Sequence, residues 1–267
     1  MRAILSHLLG LGWWSGALLV FWGGVLRGGF VAVLWWLRGN RAMMRCPENM
    51  AYTRIPLYLV FKVYPHNAGR GHLRRSLEDS LERLGTDYLD MYLLHWRGSI
   101  PFEETAECME AAVADGLIRR WGVSNLDLND MRELLQVADD THCCVDQVLY
   151  HLGSRGIEVD LLPWLAERRI PVMAYCPLAQ AGALRRGLVN SEAVRAVAQP
   201  HGFTPMQVLL AFVLRNPNII AIPRSGDPKP VMENLAVLSS DPLSDAEYAE
   251  LNRAFPAPDH PVPLDME

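Results

Sequence analysis

A chain of 267 residues that is 50% hydrophobic and 21% charged has the material for one large globular domain or two small ones, and it is not a disordered polypeptide. Its formal net charge of -5 comes with no basic stripe beyond the first few dozen residues, which excludes nucleic acid as the natural partner. Five cysteines, Cys46, Cys108, Cys143, Cys144 and Cys176, are odd in number and contain no CxxC pair, a pattern of reduced thiols in the cytoplasm and not of a disulfide framework.

The first 56 residues differ in character from the rest. No acidic residue precedes Glu48, while Arg2, Arg27, Arg38, Arg41 and Arg45 and five of the eight tryptophans lie there. The run Leu8 to Leu26 carries no charge and has the length to cross a bilayer, with arginines on its C-terminal side to keep the remainder cytoplasmic. Its many glycines and the break at Arg27 argue against such a span, and no convincing signal-peptide cleavage site follows it. The alternatives are buried strands, for which ALLVFWG and FVAVLWWL are suited, or an altered start of the chain. The expected organisation is thus an atypical hydrophobic segment, 1–56, followed by a regular domain, 57–267.

From Leu57 onward, apolar runs alternate with stretches of helical period. The runs are LYLVFKV (57–63), YLDMYLLH (88–95), RRWGVSN (119–125), CVDQVLY (144–150), PVMAYCP (171–177) and IIAIPRS (219–225). Between the first two, GHLRRSLEDSLERL places Leu73, Leu77, Leu81 and Leu84 on one stripe. DLNDMRELL has Asp127 as a candidate N-cap. Near the C-terminus, LSDAEYAELNRAF reads as a capped helix, and the tail after it either reaches over the site or hangs free. Strand then helix, six times, is a βα series with a parallel sheet, whose strands are continuous apolar runs because both faces are covered.

A doubly wound dinucleotide fold requires GxGxxG after its first strand, and that sequence is absent. The α/β class is therefore predicted to take the form of a (β/α)8 TIM barrel, incomplete or irregular at its first two βα units. Barrels gather reactive groups where strands end and βα loops begin. Those ends read Lys62, His95, Ser124 with Asn125, Gln147, Tyr175, and Arg224 with Ser225. Taken singly, His95 is as readily a structural histidine, and Asn125 or Gln147 a partner for buried backbone. Lys62 is harder to explain so, because an ammonium inside LVFKVYP must be desolvated or paired. No metal-ligand spacing occurs, since His142, Cys143 and Cys144 are too compact, and GSRG (153–156) lacks the lysine of a P-loop.

The chain resembles the aldo-keto reductases, in particular their bacterial methylglyoxal-reductase-like branch. The resemblance is carried by KVYPHNAGR (62–70), TDYLDMYLLHW (86–96), IRRWGVSNLD (118–127), QVLYHLGSRGIE (147–158), PVMAYCPLAQAG (171–182), AIPRS (221–225) and MENLAVL (232–238). It implies a barrel that transfers hydride from NADPH to a small aldehyde or ketone. It also implies that Lys62 and His95 are the catalytic lysine and histidine, the first lowering the pKa of a proton-donating tyrosine and the second orienting the carbonyl. Ser124, Asn125 and Gln147 match positions that bind the nicotinamide carboxamide, and Tyr175 the ring stacked on the nicotinamide. Pro177, Leu178 and Gln180 match the loop near the pyrophosphate. Arg224 and Ser225 match the grip on the 2'-phosphate, with Lys229 as a substitute second cation, and Glu233 and Asn234 match the adenine contacts.

One departure matters. The family's tyrosine and aspartate lie upstream of the lysine in a DTAxxYG-like segment, and this chain has no aspartate before Asp79. Tyr52, Tyr58 and Tyr64 exist, none in the expected motif. Three readings follow: a reductase altered upstream, as by a change of reading frame before residue 57, and thereby impaired; a non-catalytic NADP(H)-binding module; and a membrane-tethered barrel protein.

Overall fold

The computed structural model describes residues 25–26, 29–35, 57–138, 143–225 and 227–266. The tryptophan-rich remainder of the N-terminal segment, with Tyr52 and all but the end of the Leu8–Leu26 run, lies outside the described residues, as does His142. No described helix is long and apolar enough to cross a membrane.

Eight strands form one sheet in chain order: β1 (Val25–Leu26), β2 (Gly29–Trp35), β3 (Leu57–Val63), β4 (Met91–Leu94), β5 (Trp121–Ser124), β6 (Cys143–Leu149), β7 (Val172–Tyr175) and β8 (Ile219–Ala221). All neighbours from β3 to β8 are parallel. These are the six predicted strands, and helices connect them in the manner of a half-barrel. At the other edge β1, β2 and β3 pair antiparallel, with Val31 opposite Phe61 and Trp35 opposite Leu57. The strand-capable run FVAVLWWL therefore extends the sheet, but as a hairpin-type neighbour and not as a βα unit. An antiparallel partner at this position covers the backbone edge that β3 would otherwise expose.

The connecting helices follow the apolar periodicity of the sequence. In α1 (Leu73–Leu84), Leu73, Leu77 and Leu81 are buried against the sheet, and Gly85, at φ 65°, closes the helix by donating its N–H to the Leu81 and Glu82 carbonyls. Helix α2 (Phe102–Ala114) is tied to β5 by the Trp121 indole, which donates to Glu110 Oε1 at 2.7 Å. Helix α3 (Leu128–Val137) is capped by Asp127, whose side chain accepts from the Asn129 and Asp130 amides. Helix α4 (Leu161–Glu167) leads to β7. Helices α5 (Ala183–Asn190), α6 (Glu192–His201) and α7 (Pro205–Leu214) fill the long connection to β8. Helices α8 (Pro228–Ala236) and α9 (Asp245–Ala254) complete the chain, α9 opening on a Ser244–Glu247 capping box.

Strand alternation sorts the core into two layers. Phe61, Tyr92, Val123, Val148 and Ala174 face the helices within the larger cluster, while Val60, Met91, Leu93, Val145, Met173 and Ile220 fill the inner face of the sheet. Gly122 marks where these strands pack most closely. A Cβ there would lie 2.6 Å from both Val145 Cγ1 and the Val145 carbonyl oxygen. Because one obstacle is backbone, it cannot rotate away, so Gly122→Ala should cost about 1–3 kcal/mol of stability in chemical denaturation.

Candidate active site

Lys62 ends the inner face of β3, following Tyr58 and Val60 at alternate positions. It is half-buried. Its Nζ donates to Ser124 Oγ at 3.2 Å and stands 5.8 Å from the Tyr175 ring centroid. Burial lowers the lysine to about 8, against an opposing pull from the Asp146 carboxylate. No carboxylate among the described residues lies within ion-pairing distance of this amine.

His95 follows β4 directly, and its backbone N–H donates to the Val63 carbonyl at 3.0 Å. Burial, and then the charge of Lys62, hold the imidazole down at about 4. It is thus neutral near pH 7 and retains one ring N–H as a donor. Its ring lies 5.5 Å from that of Tyr64 and 4.5 Å from that of Trp96. Tyr64 in turn stacks on His66 at 5.6 Å. An aromatic wall therefore rises beside the amine.

Next to these, β5 and β6 deliver three polar groups. Ser124 is fully buried and donates its hydroxyl to the Gln147 carbonyl at 2.8 Å. Asn125 has a left-handed backbone, φ 57°. That conformation turns its amide across the strand ends, where Nδ2 donates to the His95 carbonyl at 3.2 Å and Oδ1 accepts from the Tyr175 hydroxyl at 3.0 Å. Among the described residues Gln147 Nε2 meets only the thioether of Met173, at 2.9 Å, a weak acceptor that leaves a good donor for something else.

Lys62, His95, Ser124, Asn125, Gln147 and Tyr175 are thus one connected group at the C-terminal end of the parallel strands. The remaining predicted residues sit further round. After β7, Cys176 and Ala179 both take positive φ, and the loop of Pro177, Leu178 and Gln180 between and beyond them is held by Arg185, whose Nε donates to the Leu178 and Ala179 carbonyls at 3.0 and 3.1 Å. Arg224 is exposed after β8. Ser225 uses its hydroxyl within its own loop, donating to the Asp227 carbonyl at 3.0 Å. Asn234 is buried in α8, and Glu233 pairs with Lys229 at 4.0 Å.

Among the described residues, the candidate tyrosines do not complete a proton-donating pair with Lys62, and Tyr52 lies outside them. Tyr58 lies towards the opposite end of β3, where its buried hydroxyl has no hydrogen-bond partner among the described residues and burial pushes its pKa up. Tyr64 stacks against His95 instead, and the Tyr175 hydroxyl is spent on Asn125. Three features escaped sequence reasoning. Arg185 gave no signal apart from its position in a basic helix start. Arg155 was hidden within GSRG. Asp146 was visible as a lone acid inside the apolar run CVDQVLY.

The family model for the aldo/keto reductase family matches residues 51–255. The chain is 52% identical over 219 residues to methylglyoxal reductase YeaE of Escherichia coli, covering 82% of this chain and 77% of that protein. It is 31% identical over 187 residues to glyoxal reductase of Bacillus subtilis, covering 70% of this chain and 64% of that protein. Its structure superposes on an aldo/keto reductase from Klebsiella pneumoniae, solved with NADP and acetate, with a TM-score of 0.76 and 54% identity over 79% of this chain and 74% of that one. With a parallel half-barrel and a polar group at the ends of its strands, the chain belongs to the aldo/keto reductase family.

Proposed function

We propose that this protein binds NADP(H) at the strand ends and reduces small aldehydes or ketones, α-oxoaldehydes among them. The observation that carries the reading is the joining of Lys62, His95, Ser124, Asn125, Gln147 and Tyr175 into one group. The donor set suits a nicotinamide: an under-used Gln147 amide and the Asn125 side chain can hold a carboxamide, beside the flat face of Tyr175. Arg224, exposed and without an ion pair among the described residues, offers a planar guanidinium for a 2'-phosphate, with Ser225 beside it. Pro177, Leu178 and Gln180 border the pyrophosphate, and Glu233 and Asn234 the adenine.

When bound, NADPH supplies the hydride. The neutral His95 imidazole donates a hydrogen bond to the carbonyl oxygen, fixing its orientation, and the Lys62 charge favours the negative charge that develops there. The rings of Tyr64, His66 and Trp96 border the carbonyl's far side beside His95. Thiols such as Cys108, Cys143 and Cys144, in no disulfide among the described residues, suit work in the reducing cytoplasm.

A second reading, a nucleotide-binding module without turnover, is favoured by one observation: no phenol hydroxyl among the described residues hydrogen-bonds Lys62. One titration separates the two. NADPH fluorescence should change on binding and 340 nm absorbance should fall when methylglyoxal is added. Binding without loss of absorbance supports the module, and no binding of NADPH or NADP sinks both. Arg224→Ala should weaken NADPH by tenfold or more while leaving NADH nearly unchanged, since only the former carries the phosphate.

A further inference from the structure

The chain has 25 lysines and arginines together, of which only Lys62 and Lys229 are lysine. They occupy opposite environments. Lys229 lies on the surface, 83% exposed, beside Glu233. Lys62 is half-buried at the strand ends, held by a hydroxyl and not by a carboxylate. Asp146, the acid whose field reaches it, faces the other way: Gln147 meets the inner-face Met173, so the residue before it points to the outer face. An amine with no ion-pair partner among the described residues, at a site that admits small carbonyl compounds, has the arrangement of a Schiff-base lysine.

We propose that Lys62 is a covalent site, whose amine condenses with the carbonyl carbon of small unhindered aldehydes to form an imine. The inference rests on the reading above only in that the strand-end site admits carbonyl compounds. The neutral amine's lone pair forms a C–N bond as the C=O π bond opens. One proton passes from nitrogen to oxygen, for which the neutral His95 imidazole is the adjacent relay. The carbinolamine then loses its hydroxyl group and the remaining nitrogen proton as water, giving C=N. One aldehyde and one amine yield one imine and one water, with no change in oxidation state. The lowered basicity of Lys62, about 8, supplies neutral amine at a pH where Lys229 is almost wholly charged.

The test treats the intact folded protein with propanal and sodium cyanoborohydride, which reduces imines to stable secondary amines, and compares propylation of the two lysines by peptide mass spectrometry. Lys62 should be labelled at least tenfold faster than Lys229 near neutral pH, and the two should react alike in denaturant. Labelling of Lys62 no faster than Lys229 in the folded state overturns the proposal. Lys62→Arg should abolish the fast adduct, though the comparison of two lysines in one unmodified chain decides the matter even if that variant does not fold. A parallel NADPH titration keeps the two ideas apart: labelling without nucleotide binding sinks the reductase reading alone, and binding without preferential labelling sinks the imine alone.

Discussion

Replacing Arg155 by methionine is expected to cost about 3–5 kcal/mol of folding stability, the usual consequence of removing one partner from a buried ion pair. The guanidinium is only 4% exposed. Its Nε and Nη2 meet the two oxygens of Glu158 at 2.8 and 2.6 Å, a side-on bidentate pair. Nη1 donates to Asn252 Oδ1 at 2.7 Å and to the Phe255 carbonyl at 2.6 Å, and the guanidinium carbon lies 5.1 Å from the centroid of Phe212. One side chain therefore fastens the loop after β6 to the end of α9. Methionine keeps the apolar stem but leaves the Glu158 carboxylate with the Tyr150 hydroxyl, 2.7 Å away, as its remaining buried partner. Urea denaturation reads the loss. Glu158→Gln added to Arg155→Met should recover part of it, because the unpaired buried charge is then gone. A loss under about 1 kcal/mol would show that the clamp is unimportant to the fold.

The clamp also illustrates what sequence could and could not reveal. All six parallel strands were legible, because a strand covered on both faces must be an unbroken apolar run. The polar tips Lys62, His95, Ser124 and Gln147 were legible for the complementary reason that each interrupts such a run. Asp127 as a cap and the Leu73, Leu77, Leu81 stripe depend on local geometry alone and were equally plain. Arg155 was not, since its partners Asn252 and Phe255 lie about a hundred positions away and no local pattern encodes that contact. The direction in which FVAVLWWL joins the sheet was likewise hidden: apolar alternation reports that a strand can form, not which way its neighbour runs. The sequence allows the C-terminal tail to cover the site or to hang free. It lies along the loop after β6, where Ser154 donates its hydroxyl to Asp265, and Val262 and Leu264 help line a cavity of about 240 Å³ with Ile157 and Leu161.

Asp146→Asn should make the protein more stable at pH 8, an uncommon sign for a substitution in a core. Asp146 is fully buried, and among the described residues its carboxyl oxygens have no well-formed hydrogen bond, the Leu126 amide approaching with poor geometry. Burial holds its pKa well above the usual carboxylate range; the Leu126 amide and the Lys62 charge offset this only in part, and Asp130 and Asp127 add to it. A raised acid pKa means that the folded state keeps a proton that the unfolded chain releases. Stability from this group is therefore complete below about pH 3.9 and declines as pH rises towards the folded pKa. Asparagine has nearly the same shape and no charge to bury, so its advantage should be greatest at pH 8, smaller at pH 6 and nearly absent at pH 3. Urea midpoints at the three values measure it, and an Asp146→Asn protein less stable than the parent at pH 8 would mean that the carboxylate has a compensating partner.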